Sequence, residues 1–215
     1  MWSILYDIHD SAADGNDTLA LGFQPIWNVL INPQRTTPAF TTIFSFIAAL
    51  KAALPANAGA INTLVAAQNI DATNIDAFAT TETHFPANVP MAAALPLYTT
   101  ASFGVPVVLR TVNDAGTTNK VGNHRYVRFD IVGATRNVTV SLGSSNTSNP
   151  DPDFVVWRAG TFVRAGTDPP QALETETFSA VAGTYIIDAY DCANGCNSEE
   201  GTAGDYNLTV TVTTN

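Results

Sequence analysis

Asp205-Tyr206-Asn207-Leu208-Thr209-Val210-Thr211-Val212-Thr213 alternates strictly, with Tyr206, Leu208, Val210 and Val212 on one face and polar residues on the other. A period of two sends successive side chains to opposite sides of an extended backbone, so the stretch reads as a half-buried strand. Similar segments stand upstream at 105–112, 125–132, 137–142, 154–157, 173–178 and 185–190, mostly separated by Gly, Asn, Asp or Pro. Short strands at such intervals predict an antiparallel sandwich. Near residues 95–103 the hydrophobic period changes, and everything before it has helical spacing. The expected fold is therefore α+β in two domains. A small helical subdomain over residues 1–95 is followed by an antiparallel seven- to eight-stranded β-sandwich, jelly-roll-like, over 96–215.

In the first part, residues 2–9 read as the end of a helix, and the acidic turn at 10–17 offers Asp17 as an N-cap for the next. Leu19, Phe23, Ile26, Trp27 and Leu30 follow at helical spacing until Asn32-Pro33. Thr37-Pro38 predicts a third start, a hydroxyl followed by proline at the first helical position, with Phe40, Ile43, Phe44, Ile47, Leu50 and Leu54 on one face. Further helices are expected over 58–68 and, more weakly patterned, 74–79. The prolines of 86–96 predict a linker or an extended crossing segment.

The chain has 215 residues and a formal charge of −10. Seven acids face two bases in residues 1–100 and twelve face seven thereafter, so a nucleic-acid backbone would be repelled by either half. No run approaches the roughly 18 apolar residues of a membrane span. A basic leader with a cleavage site is also missing, and Met1 reads as a cut inside a longer protein.

Cys192 and Cys196 bracket Asp191-Cys192-Ala193-Asn194-Gly195-Cys196-Asn197. With no second Cys or His pair at a usable spacing a zinc site is not expected here. A local disulfide is the preferred reading, implying an oxidising compartment, and free thiols are the alternative. The carboxylates Asp151, Asp153, Asp188, Asp191 and Asp205, with Glu199 and Glu200 nearby, are of the type and loop setting that calcium uses; Asp and Asn also favour turns for their own sake. Asp7, His9, Asp10, Asp14 and Asp17 form a second acidic run, read mainly as helix-terminus chemistry. His9, His84 and His124 are scattered, and neither a Gly-x-Ser-x-Gly elbow nor a His-Glu-x-x-His pair occurs, so no catalytic residue is assigned. Tyr126, Trp157, Phe162 and Tyr190 are candidates for a platform binding sugar rings or polypeptide, or for ordinary packing.

Four phrases in order, Asn123-His124-Arg125-Tyr126-Val127-Arg128-Phe129-Asp130-Ile131, Asp151-Pro152-Asp153-Phe154-Val155-Val156, Gly183-Thr184-Tyr185-Ile186-Ile187-Asp188-Ala189-Tyr190 and Gly204-Asp205-Tyr206-Asn207-Leu208-Thr209-Val210, resemble the bacterial pre-peptidase C-terminal domain, a β-sandwich appended to secreted proteases. The segment around Cys192 and Cys196 departs from the simplest form of that pattern. Trp2-Ser3-Ile4-Leu5-Tyr6-Asp7-Ile8-His9-Asp10 and the helices after it are similar to the region behind the zinc site of some secreted HExxH-type metallopeptidases. The resemblance implies a non-catalytic C-terminal portion of a secreted or cell-surface metallopeptidase-like protein. Its zinc would lie only in an upstream catalytic region, and that region would be the sandwich's partner. The other reading is an adhesion module that binds extracellular polysaccharide or protein.

Overall fold

Ile4, Ile8, Ile26, Val29, Ile47, Leu50, Ile61 and Val65 recur at three- and four-residue spacings and are buried together in the core of the first of two compact units, Met1–Ala87. The computed structural model describes residues 2–11, 18–82, 96–111, 123–196 and 204–215. The first unit contains α1 (Trp2–His9), α2 (Phe23–Ile31), α3 (Pro33–Thr36), α4 (Ile43–Ala53), a 3-10 turn at Pro55–Asn57 and α5 (Ala58–Ala66). The expected cap Asp17 and the linker at 86–95 lie outside the described residues.

The helical unit differs from expectation in three places for local reasons. The helix assigned to Thr37-Pro38 starts at Ile43. Thr42 Oγ1 accepts from Ser45 N at 3.2 Å while Ser45 Oγ accepts from Thr42 N at 2.9 Å, and this reciprocal cap satisfies two orphan donors where Thr37 offers one acceptor. Asn32-Pro33 does end α2, but Pro33, at home in a first helical turn, opens the single turn of α3 at once. Residues 74–79 form turns instead of a helix. Asp76 Oδ1 accepts from Phe78 N at 2.8 Å and Thr80 N at 3.1 Å, the local side-chain bonding that competes with helix.

The described residues of the second unit, Asn88–Asn215, hold nine strands: β1 (Tyr98–Thr100), β2 (Val107–Thr111), β3 (Arg125–Ile131), β4 (Arg136–Ser144), β5 (Pro152–Arg158), β6 (Thr161–Gly166), β7 (Leu173–Ala180), β8 (Gly183–Asp191) and β9 (Tyr206–Thr214). They form two sheets, ordered β1-β3-β8-β5-β6 and β2-β9-β4-β7. All pairings are antiparallel except β1 with β3, which is parallel. The sandwich expected from alternation is therefore present, with two strands more than the seven read from the sequence. β1 is too short to show a period, and β6 is an edge strand whose Phe162 lies open to solvent, so no buried stripe announces it.

Inward residues of both sheets make one core: Val127, Phe129, Ile131, Phe154, Val156, Tyr185, Ile187 and Ala189 from the five-stranded sheet meet Val138, Val140, Leu142, Leu208, Val210 and Val212 from the other. Phe129 stacks on Tyr185 at 5.1 Å. The opening strand, β9, buries Leu208, Val210 and Val212 completely, as its alternation requires.

Candidate functional site

Polar residues buried in the described part of the sandwich are Thr111, Asn123, Arg125, Asn146, Asp151, Asp153, Glu174, Asp191 and Asn194. They stand at or beside the ends of β2, β4 and β8 and the starts of β3, β5 and β7, which the register brings to one end of the sandwich. That end is organised by α6 (Cys192–Gly195), one turn closed by a Cys192–Cys196 disulfide. Asp191 accepts from Ala193 N at 3.0 Å and from Ser144 Oγ, tying α6 to β4. Asn194 donates to Gly204 O at 2.7 Å and Thr111 Oγ1 at 3.1 Å and accepts from Gly204 N at 2.9 Å, while its carbonyl accepts from Asn123 Nδ2 at 2.8 Å. Closing so short a loop stabilises less than the ~3 kcal/mol of a fifteen-residue one, so the disulfide mainly shapes the turn that presents Asn194.

The five carboxylates singled out in the sequence do not form one cage. Asp188 and Asp153 alternate onto the outer face of the five-stranded sheet, where Asp153 stands opposite Tyr190 and Asp188 opposite Tyr126. Asp191 has the parity of the core residues and bonds Ser144 of the facing sheet. Asp205 pairs with Arg110 of β2 at an exposed position. The expectation treats loop acids as neighbours, whereas strand alternation sends them to opposite sides. Glu199, Glu200 and Asp14 lie outside the described residues.

What the outer face does assemble is a cluster around Tyr190. Its ring lies 4.6 Å from that of His124, and a side chain at Gly195 would come within 3.2 Å of it, so the bare glycine lets α6 rest on the ring. His124 Nδ1 is 2.7 Å from Asp188 Oδ1, a partnership hidden from sequence reasoning because the two residues are 64 apart. Burial first, then the charges of Asp153, Asp188 and Asp151, push the Tyr190 phenol up to about 12. Burial, Asp188 and Tyr98 likewise raise that of Tyr126, and burial lowers Arg125. Because the fold favours the neutral Tyr190 phenol, its contribution to stability is whole below the unfolded value of about 10 and is lost as pH rises through about 12. Tyr190→Phe keeps the ring without the proton, so its melting temperature should fall less than the parent's between pH 9 and pH 12; identical falls would refute the assignment.

The remaining aromatics share that outer face. Trp157 and Phe162 meet edge to face at 6.1 Å, and Phe162 is 58% exposed. They stand about 13 Å along the strands from Tyr190, four residues at the usual rise.

Asp153, Cys192 and Cys196 place one oxygen and two sulfurs within 4.8 Å of one another. Cys192 Sγ is 3.4 Å from Asp153 Oδ2, yet a disulfide sulfur has no proton to donate, so this is packing and not a hydrogen bond. The Asp188 carboxylate holds the His124 ring against that of Tyr190. These features belong to a β-sandwich of two sheets preceded by a helical unit.

No protein-family model matches the chain, and no curated protein matches it. Among solved structures it weakly resembles the pre-peptidase C-terminal domain of a collagenase from Bacillus anthracis, with 12% identity, 54% of this chain and 93% of that one covered, and a TM-score of 0.39. PliG, a periplasmic inhibitor of g-type lysozyme, is similar at 13% identity, 54% and 95% coverage and a TM-score of 0.29 for the Aeromonas hydrophila protein. The Salmonella Typhimurium protein stands at 11% identity, 54% and 97% coverage and 0.29.

Proposed function

We propose that this chain is the non-catalytic C-terminal portion of a secreted metallopeptidase-like protein, its helical unit completing the enzyme body and its sandwich serving stability, secretion or attachment. The observation that carries the reading is α2, which is apolar on both sides. Ile26 and Val29 are buried, while Phe23, Trp27, Leu30 and Ile31 stand 57, 46, 42 and 39% exposed. Leu5, Ile26, Leu30, Ile43 and Phe46 line an apolar groove beside it. An outward stripe at i, i+4, i+7 and i+8 is what a helix shows when a further body packs on it, and the upstream catalytic region is the occupant this reading names. The test is the reading frame preceding Met1. A frame continuing into a zinc-binding helix is expected, and a promoter with a start site at Met1 overturns the reading. The calcium expectation belongs to it too, narrowed to Asp151, Asp153 and Asp188 around Tyr190. Millimolar calcium should raise the melting temperature above that in chelator, and equal values dispose of the ion.

Trp157 and Phe162 favour a second reading, attachment to extracellular polysaccharide or polypeptide through the outer sheet face. Trp157→Ala should then abolish retention on insoluble polysaccharide or collagen, and no retention of the parent chain on either refutes it.

A further inference from the structure

From the Asp153, Cys192 and Cys196 cluster we infer that reduction of the disulfide converts this corner of the sandwich into a site for a thiophilic divalent cation, Zn2+ or Cd2+, held by two thiolates and one carboxylate. The donor atoms already lie within 4.8 Å of one another. A tetrahedral zinc with Zn–S of about 2.3 Å and Zn–O of about 2.0–2.2 Å needs them roughly 3.5–3.8 Å apart; Cys192 Sγ is already 3.4 Å from Asp153 Oδ2, and the two sulfurs, bonded to each other in the oxidised form, separate on reduction to admit the ion between them. The ligands are held by rigid elements: Asp153 sits on β5 between two paired strands, and Cys192 opens α6, whose turn is fixed by Asp191 and Asn194. Cys192 and Asp153 are buried, at 4 and 7% exposure, whereas Cys196 is half-buried and offers a reductant its approach. Sulfur donors select against hard ions such as calcium, so the site differs in its metal preference from the carboxylate set proposed above, with which it shares Asp153.

The chemistry balances. A phosphine attacks one sulfur, the S–S bond breaks, water supplies the phosphine-oxide oxygen and two protons, and two thiols result; a dithiol does the same while closing its own disulfide. Binding of the cation then releases both thiol protons. The carboxylates of Asp153, Asp188 and Asp151 all bear on the neighbouring Tyr190 phenol, and this concentration of negative charge in a partly desolvated corner favours a dication.

Cadmium is the probe. The full chain, reduced with phosphine and freed of it, should show a thiolate-to-cadmium ultraviolet band saturating at one equivalent, displaced by zinc; oxidised protein should show none. Asp153→Asn should weaken Cd2+ at least about tenfold, the lower bound for even outer-sphere partners, and its oxidised form should melt cooperatively, showing that it folds. A reduced parent chain without the band, loss of the fold on reduction, or an Asp153→Asn variant that binds equally tightly would each overturn the inference.

Discussion

Phe154→Ala should cost about 3–5 kcal/mol and lower the melting temperature of the sandwich by about 10 °C or more. Phe154 is fully buried in the centre of the sandwich core. Its ring lies so close to Gly166 that a Cβ there would stand 2.6 Å from Phe154 Cε1. Gly166 has no side chain to swing into the vacated volume, which places the loss towards the upper end of the range for aromatic truncation. The two buried clusters share no residue. Leu50→Ala, fully buried in the helical core, should therefore cost about 2–5 kcal/mol from a separate transition. Calorimetry of both variants is the check, and a single transition lowered equally by each would contradict two independent cores.

Asn194→Ala should be the most damaging polar substitution, at about 2–4 kcal/mol. It removes three hydrogen bonds, stranding both backbone groups of Gly204 and leaving Thr111 Oγ1 only its bond to Tyr206 O, in a region where Asn194 is only 2% exposed. Asn194→Asp separates donor loss from lost volume. The carboxylate is isosteric but has no N–H for Gly204 O and buries a charge close to Asp191, so near neutral pH it should be at least as unstable as the alanine variant. Denaturant midpoints of the two decide. An aspartate variant as stable as the parent would mean that Asn194 merely fills space.

Most of the architecture was legible because burial imposes a period. Seven of the nine strands among the described residues follow from alternation, and those that escaped, β1 and β6, are an element too short to have a period and an edge with no buried stripe. Helix ends were legible only where the cap is conventional. Ser45 closes the α4 box in the position where Glu or Gln is the usual signal, so Thr37-Pro38 looked the better start. The disulfide preferred over free thiols for Cys192 and Cys196 is present. The candidate site was legible only in part. Tyr126, Trp157, Phe162 and Tyr190 do share a face, but His124 with Asp188 depends on the register of β3 against β8, and no local pattern encodes register.

Residue order by itself thus determined the two units, the sandwich and the acidic character of both halves, because hydrophobic period and charge are properties of the chain read along its length. Only the tertiary structure decided which carboxylates meet. Strand pairing and parity put Asp153 and Asp188 beside Tyr190, turned Asp191 inward to cap α6, and gave Asp205 to Arg110. Contacts between distant strands are set by the fit of whole faces, and that fit is made when the sheets pack.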